Sequence, residues 1–184
     1  NNIEIQGRLL FVQNGNIWQW QNDKATAITQ NNNTYQPAFS PDGQSLLISS
    51  DATGVFNAYA LPVAGGEPVA LTGSTDNAVF AATWLPDGRA VVASDGGGNE
   101  LTHVYVREAD GSLRDLTPGD KVKADFLALS PDGKTLWLTS NARNPGAFDV
   151  LAFDTTTLEG RTVYENSGEF YPADVSRDGR WLAL

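Results

Sequence analysis

Apolar positions along this chain come in short blocks broken by turns. Leu46-Leu47-Ile48, Val91-Val92-Ala93 and Leu136-Trp137-Leu138 would be apolar on both faces of an extended segment. A sheet with one wet face alternates apolar with polar positions. Unbroken blocks therefore predict strands covered on both sides, as in stacked sheets. The three blocks sit in strands at residues 45–49, 90–94 and 135–139, a fourth such strand lies at 180–184, and each follows a shorter strand, at 36–39, 81–84, 126–129 and 172–175. A third strand carries a bulky residue at an equivalent place, namely Tyr59, Tyr105 and Leu151. A fourth, at 68–72, 113–117 and 161–164, ends in threonine or tyrosine. Nearer the start, residues 8–12, 17–20 and 25–29 predict three strands, with Trp18 at the place of Tyr59 and Asn14-Gly15 as a hairpin turn. Residues 1–7 and Asn31-Asn32-Asn33 are polar and predict a lead-in and a loop. No amphipathic helix is legible.

One tetrapeptide punctuates the pattern. Ser40-Pro41-Asp42-Gly43 recurs as Leu85-Pro86-Asp87-Gly88, Ser130-Pro131-Asp132-Gly133 and Ser176-Arg177-Asp178-Gly179, in steps of 45, 45 and 46 residues. Proline presets φ at the first central position of a turn, aspartate can bond nearby backbone, and glycine takes the left-handed position without steric cost. Between apolar strands this predicts a type I turn closed by a glycine bulge, with structural rather than ligand-binding aspartates. A fixed step in the mid-forties fits a four-stranded propeller blade. Alanine in the first strands (Ala38, Ala81, Ala82, Ala128, Ala173) suits crowding near a central axis. Pro37, Pro68 and Pro172 fall at strand starts or edges, where a missing donor is tolerated.

The fold class is thus all-β, a β-propeller of four-stranded blades. Residues 8–30 make a partial blade, 35–72, 80–117 and 125–164 full blades, and 171–184 the start of another, all in one domain spanning 1–184. Residues 171–175 can supply the missing inner strand of the first unit and close a ring of four. That closure leaves 180–184 as a surplus, uncovered edge, so an open arc of a larger, six- to eight-bladed ring is the expectation.

Composition narrows the function. The 22 acidic and 12 basic side chains give a net charge of −10, which disfavours nucleic acid and anionic membrane surfaces. No run of about 18 apolar residues is present to span a bilayer. The absence of cysteine removes disulfides, thiolate nucleophiles and zinc–thiolate sites. Methionine is absent too, even at position 1, so a removed signal segment or a fragment is expected. A soluble protein of the bacterial cytoplasm or periplasm fits, without a choice between them.

The candidate chemistry is sparse. The single histidine, His103, lies within a third strand, and no Gly-x-Ser-x-Gly elbow exists, so a structural role is expected for it. Asp95 and Glu100 can approach each other in one loop, but nothing sets them around a glycosidic bond. The same glycine-rich loop lacks the alternating ligands of a calcium loop. No metal and no cofactor is expected. Trp18, Trp20, Trp84, Trp137 and Trp181 all fall in predicted strands and are expected to pack between blades. Loops between second and third strands share one face with the crossings between blades. That face gathers residues 51–54, 95–100, 141–146, 75–77, 119–123 and 165–169, and loops carry function more often than strands do. Its candidate substrate-facing residues are Asp95, Asn99, Glu100, Asn141 and Arg143, although a rim ion pair is the leading expectation for Arg143.

The Ser-Pro-Asp-Gly turn with a downstream Leu-Thr resembles TolB-like propeller repeats and the propeller of prolyl-oligopeptidase-family serine peptidases. Ser94-Asp95-Gly96-Gly97-Gly98-Asn99-Glu100 with His103-Val104-Tyr105-Val106 is similar to the second group. So are Thr139-Ser140-Asn141-Ala142-Arg143-Asn144-Pro145, Phe148-Asp149-Val150 and Tyr164-Glu165-Asn166. Leu85 and Arg177 depart from the turn pattern, and the first unit lacks the turn. The peptidase resemblance implies a propeller that gates peptide substrates to an α/β-hydrolase domain, C-terminal to this chain, that carries the triad. The TolB resemblance implies a protein-binding module of the cell envelope. Either implies further blades as partners.

Overall fold

The computed structural model describes residues 9–30, 34–168 and 170–184. The expectations for residues 1–7, Arg8, Asn31-Asn32-Asn33 and Glu169 lie outside them. Every regular element among the described residues is a strand, and every sheet is an antiparallel meander. The first sheet joins β1 (Leu9–Gln13), β2 (Asn16–Gln21) and β3 (Lys24–Ala27). The second joins β4 (Thr34–Phe39), β5 (Ser45–Ser50), β6 (Asn57–Pro62) and β7 (Val69–Ala70). The third joins β8 (Val79–Trp84), β9 (Ala90–Ser94), β10 (His103–Arg107) and β11 (Leu113–Asp115). The fourth joins β12 (Ala124–Leu129), β13 (Thr135–Asn144), β14 (Ala147–Asp154) and β15 (Gly160–Tyr164). A last pair joins β16 (Asp174–Val175) and β17 (Leu182–Ala183).

The two-sided apolar strands do what their pattern dictates. Leu46 and Ile48 pack with Ile17 of the first sheet, whereas Leu47 faces Val79, Ala81 and Val92 of the third. Val91 faces the other way, into a cluster with Leu136 and Leu138 of the fourth. Leu46, Leu47, Val91, Val92, Leu136 and Leu138 are all 0% exposed. Burying each such side chain contributes about 1.5–3 kcal/mol, so stability resides in the junctions between sheets. Tyr59 opposite Ile48, Tyr105 opposite Val92, Leu151 opposite Leu138 and Trp18 opposite Phe11 hold one register place across the repeats. This stack of four-stranded meanders, the second and third covered on both faces by their neighbours, is an all-β propeller architecture.

The turns follow their chemistry. Gly43 sits at φ +68° and donates its N–H to the Ser40 carbonyl at 2.8 Å. The Ser40 hydroxyl donates to Asp42 Oδ1 at 2.6 Å and accepts from the Ser45 N–H at 2.9 Å. Ser130 with Asp132 and Ser176 with Asp178 repeat this contact. These serine hydroxyls hold the three carboxyls below the usual aspartate range. Leu85 breaks the pattern for a reason: its side chain is fully buried between the third and fourth sheets. Arg89 takes over Asp87, with Nε donating to Oδ2 at 2.8 Å, and its Nη2 reaches the Thr155 carbonyl of the fourth sheet at 2.6 Å.

The strands differ from the sequence expectation in several places: β4, β8 and β12 begin two residues early, and β16 keeps only two of the four residues expected. The first strands each carry a bulge, between Tyr35 and Ala38, Ala81 and Thr83, and Phe126 and Ala128, which strengthens their twist. The outer strands β7 and β11 stop before Thr72 and Thr117. Those hydroxyls instead accept the N–H groups of Ala58 and Val104, at 2.9 and 3.0 Å. The strand expected at 180–184 shrinks to β17. Trp181 falls just outside it and is 71% exposed rather than packed between blades. Finally, β13 runs through to Asn144, so the loop expected at 141–146 is a hairpin that turns at Pro145-Gly146.

Candidate functional site

The face holding the second-to-third-strand connections is built on one repeated polar position. Asn57, His103 and Asp149 pair with Ser50, Ser94 and Ser140, so all three occupy the same place at the start of a third strand. Each fastens the chain that crosses to the next sheet. Asn57 Oδ1 accepts from the Thr72 hydroxyl and the Ser74 N–H, both at 2.8 Å. His103 places Nδ1 2.8 Å from Asp115 Oδ2 and Nε2 3.0 Å from the Gly119 carbonyl. Both ring nitrogens are thus held by oxygens of the fold itself, as a histidine with a structural role requires.

Beside His103 lies a cleft of about 300 Å³, with walls that include Ser94, Asn99, Tyr105, Gly119 and Asp120. Burial, with the nearby Asp115 charge, pushes the Tyr105 hydroxyl above its ordinary value. The loop over this cleft is internally braced. Asp95 Oδ2 accepts the Glu100 N–H at 3.0 Å, Asn99 Oδ1 accepts the Leu101 N–H at 2.9 Å, and Asn77 Oδ1 accepts the Gly97 N–H at 2.7 Å. Glu100 takes φ +61°, a left-handed conformation unusual for glutamate. Asp95 thus meets the Glu100 backbone, not its carboxylate. Of the three loop candidates, Asn99 lines the cleft. Among the described residues, no three His, Asp or Glu side chains stand together to hold a metal.

Asn141 and Arg143 stand on β13, not in a loop. Asn141 Oδ1 accepts the Lys123 N–H at 2.7 Å and so ties down the crossing into the fourth sheet. Arg143 grips Asp149 bidentately, Nε to Oδ2 at 2.6 Å and Nη2 to Oδ1 at 2.7 Å, and also donates to the Asn166 carbonyl at 2.8 Å. The Asp149 side chain is 4% exposed and that of Arg143 44%, so the acid is buried while the guanidinium keeps one side open. The Arg143 hydrogen bonds hold the Asp149 carboxyl below its usual range, with the Asn166 N–H adding to this. The structure therefore unites Arg143 with Asp149 and Asn166, and ties Asn141 to Lys123.

One set of residues on this face escaped the sequence reading. Tyr35, Phe80, Asp125 and Tyr171 each stand five residues before the first residue of the repeated turn. Tyr35, Phe80 and Tyr171 are 40%, 36% and 52% exposed. Phe56 bridges Tyr35 and Phe80, with ring centroids 6.1 and 5.0 Å away, and Phe148 lies 5.0 Å from Tyr171. The Tyr171 hydroxyl donates to Asp125 Oδ2 at 3.1 Å. The signal that finds them is their constant offset from the turn, combined with bulk at positions where neighbouring first-strand residues are small.

Solved propeller structures share this architecture. A putative TolB from Agrobacterium tumefaciens superposes with a TM-score of 0.67 at 22% identity, over 94% of this chain and 63% of that one. TolB from Acinetobacter baumannii gives 0.65 at 18% identity, over 92% of this chain and 42% of that one. A prolyl endopeptidase gives 0.64 at 13% identity, over 88% of this chain and 26% of that one. The chain thus spans about two-fifths to three-fifths of the TolB structures and a quarter of the endopeptidase. At these identities the likeness shows the β-propeller fold. No protein-family model matches the chain, and no curated protein matches it in sequence.

Proposed function

We propose that this chain is the non-catalytic propeller part of a prolyl-oligopeptidase-like serine peptidase, gating peptide access to a hydrolase domain that lies outside the chain. The observation that carries this reading is the Arg143–Asp149–Asn166 network. It brings together three of the separate stretches of sequence that resemble those peptidases, on the face that bears the 95–100 loop. His103, engaged through both ring nitrogens, suits a part without catalytic duty. The similar prolyl endopeptidase is described as using inter-domain dynamics in catalysis and specificity, which fits a propeller that opens and closes against a partner domain. On this reading residues 8–30, 35–72, 80–117, 125–164 and 171–184 are blades or parts of blades in an arc of a larger ring. Asn99 and the open side of Arg143 are the polar groups best placed to meet substrate, with Asp95, Glu100 and Asn141 supporting them.

Fluorophosphonate labelling tests this reading. The full-length parent protein is expected to label on a serine outside residues 1–184, and the isolated chain not at all. Labelling within the chain overturns the non-catalytic assignment. A parent that takes no label favours a second reading, a TolB-like module that binds protein partners in the cell envelope. That second reading draws on the superposition with two TolB structures.

A further inference from the structure

We propose that the repeated position formed by Tyr35, Phe80, Asp125 and Tyr171 binds a peptide segment presenting a lysine or arginine between two aromatic or apolar side chains. The inference rests on the reading that this face meets peptide, and it names the chemistry selected there. Equivalent places in successive sheets present aromatic, aromatic, acid and aromatic side chains. Phe56 braces Phe80 on one side, and Phe148 braces Tyr171 on the other. Between these braced pairs, the place matching Phe56 and Phe148 is held by Thr102. Its carbonyl accepts the Ala124 N–H, just as the Phe56 carbonyl accepts that of Val79. In the order of the sheets, Thr102 and Asp125 therefore stand between the Phe56–Phe80 pair and the Phe148–Tyr171 pair, and the Tyr171 hydroxyl reaches Asp125.

Charge complementarity selects the occupant. Among the described residues no lysine or arginine pairs with Asp125, whose hydrogen-bond partner is the neutral Tyr171 hydroxyl. A carboxylate beside the exposed Tyr171 ring, with exposed Phe80 at the equivalent place of the preceding sheet, suits a cation that pairs with the acid and lies over a ring face. Apolar groups flanking that cation would cover Phe80 and Tyr171. The net charge of −10 draws a basic segment toward this surface and repels an acidic one.

The test is fluorescence anisotropy on the 184-residue chain with labelled, acetylated tripeptides. Phe-Lys-Phe is expected to bind about tenfold tighter than Phe-Gln-Phe, the preference falling as salt rises. Asp125→Asn keeps an oxygen for Tyr171 and is expected to abolish that preference with the melting temperature little changed. Phe80→Ala is expected to weaken both peptides alike. Asp125→Lys is expected to favour Phe-Glu-Phe over Phe-Lys-Phe, a reversal that damage to the fold would not produce. Equal binding of the lysine and glutamine peptides, no binding of either, or a preference that survives Asp125→Asn overturns the proposal. Labelling of the parent by fluorophosphonate does not depend on these residues, so the two readings fail separately.

Discussion

The junction between the third and fourth sheets and the junction between the fourth sheet and the β16–β17 pair use the same repeat and differ sharply in completeness. At the first, Val91, Val104 and Val106 meet Leu136 and Leu138 with no exposure, and Leu85 joins them from within the turn. Pro86 packs directly over Gly133, and Arg89 crosses to the Thr155 carbonyl. At the second, two short strands cover part of the sheet. A space of about 360 Å³ remains between Trp137, Ala152 and Val163 on one side and Leu182 and Trp181 on the other. Val163 stays 42% exposed and Trp181 71%. The Ser130 and Ser176 turns share one geometry, so a well-formed hairpin does not make a stable blade. The facing sheet does that, as expected where each repeat is stable only through its neighbours.

Substitutions can sharpen this contrast. The largest effect is expected from Leu136→Ala, which empties a fully enclosed site and should cost about 2–5 kcal/mol in urea denaturation. Leu182→Ala, at the open junction, should cost less than about 1 kcal/mol, and equal losses at the two would break the comparison. Gly133→Ala comes next. Both Gly133 and Gly179 sit at positive φ, +71° and +67°, but a Cβ at Gly133 collides with the Pro86 ring, whereas one at Gly179 meets the Trp137 indole at 3.3 Å. Gly133→Ala is therefore expected to cost about 2–3 kcal/mol and Gly179→Ala about 1 kcal/mol. Ser130→Ala removes the acceptor for the Thr135 N–H and should cost about 0.5–1.5 kcal/mol.

The Arg143–Asp149 pair yields a pH test. The folded-state carboxyl of Asp149 lies below its unfolded value, so its stabilisation is complete above the unfolded value of about 3.9 and is lost as pH falls through the lower folded one. Asp149→Asn should therefore lower the melting temperature more at pH 7 than at pH 2. A loss independent of pH would show that the carboxylate charge contributes nothing there.

Much of this was legible beforehand, because the informative signals were local. Asn14-Gly15 formed its hairpin with both residues at positive φ, 53° and 68°, as a two-residue turn of that type requires. The turn glycines, the two-sided strands and the equivalence of Tyr59, Tyr105 and Leu151 followed from composition and period. The misreadings came from contacts made across space. Leu85 looked like a fault in the turn and is a core residue, because the fourth sheet lies against it. Asn141 and Arg143 looked like loop residues, because the pairing of Asn144 with Ala147 that extends the hairpin carries no distinctive residue signal. Trp181 looked buried, because its exposure depends on how much sheet faces it.

By itself, then, the amino-acid order determined the strand periods, the turn positions and the demand that each sheet be covered on both faces. These are consequences of backbone sterics and of side-chain alternation within a few residues. Which faces were covered, and which polar groups met, only the tertiary structure decided. Arg143 with Asp149 and Asn166, His103 between Asp115 and Gly119, and Asp125 with Tyr171 each join residues from different strands or from the crossings between sheets. Their distances are set by how those sheets stack, and no local pattern encodes that spacing.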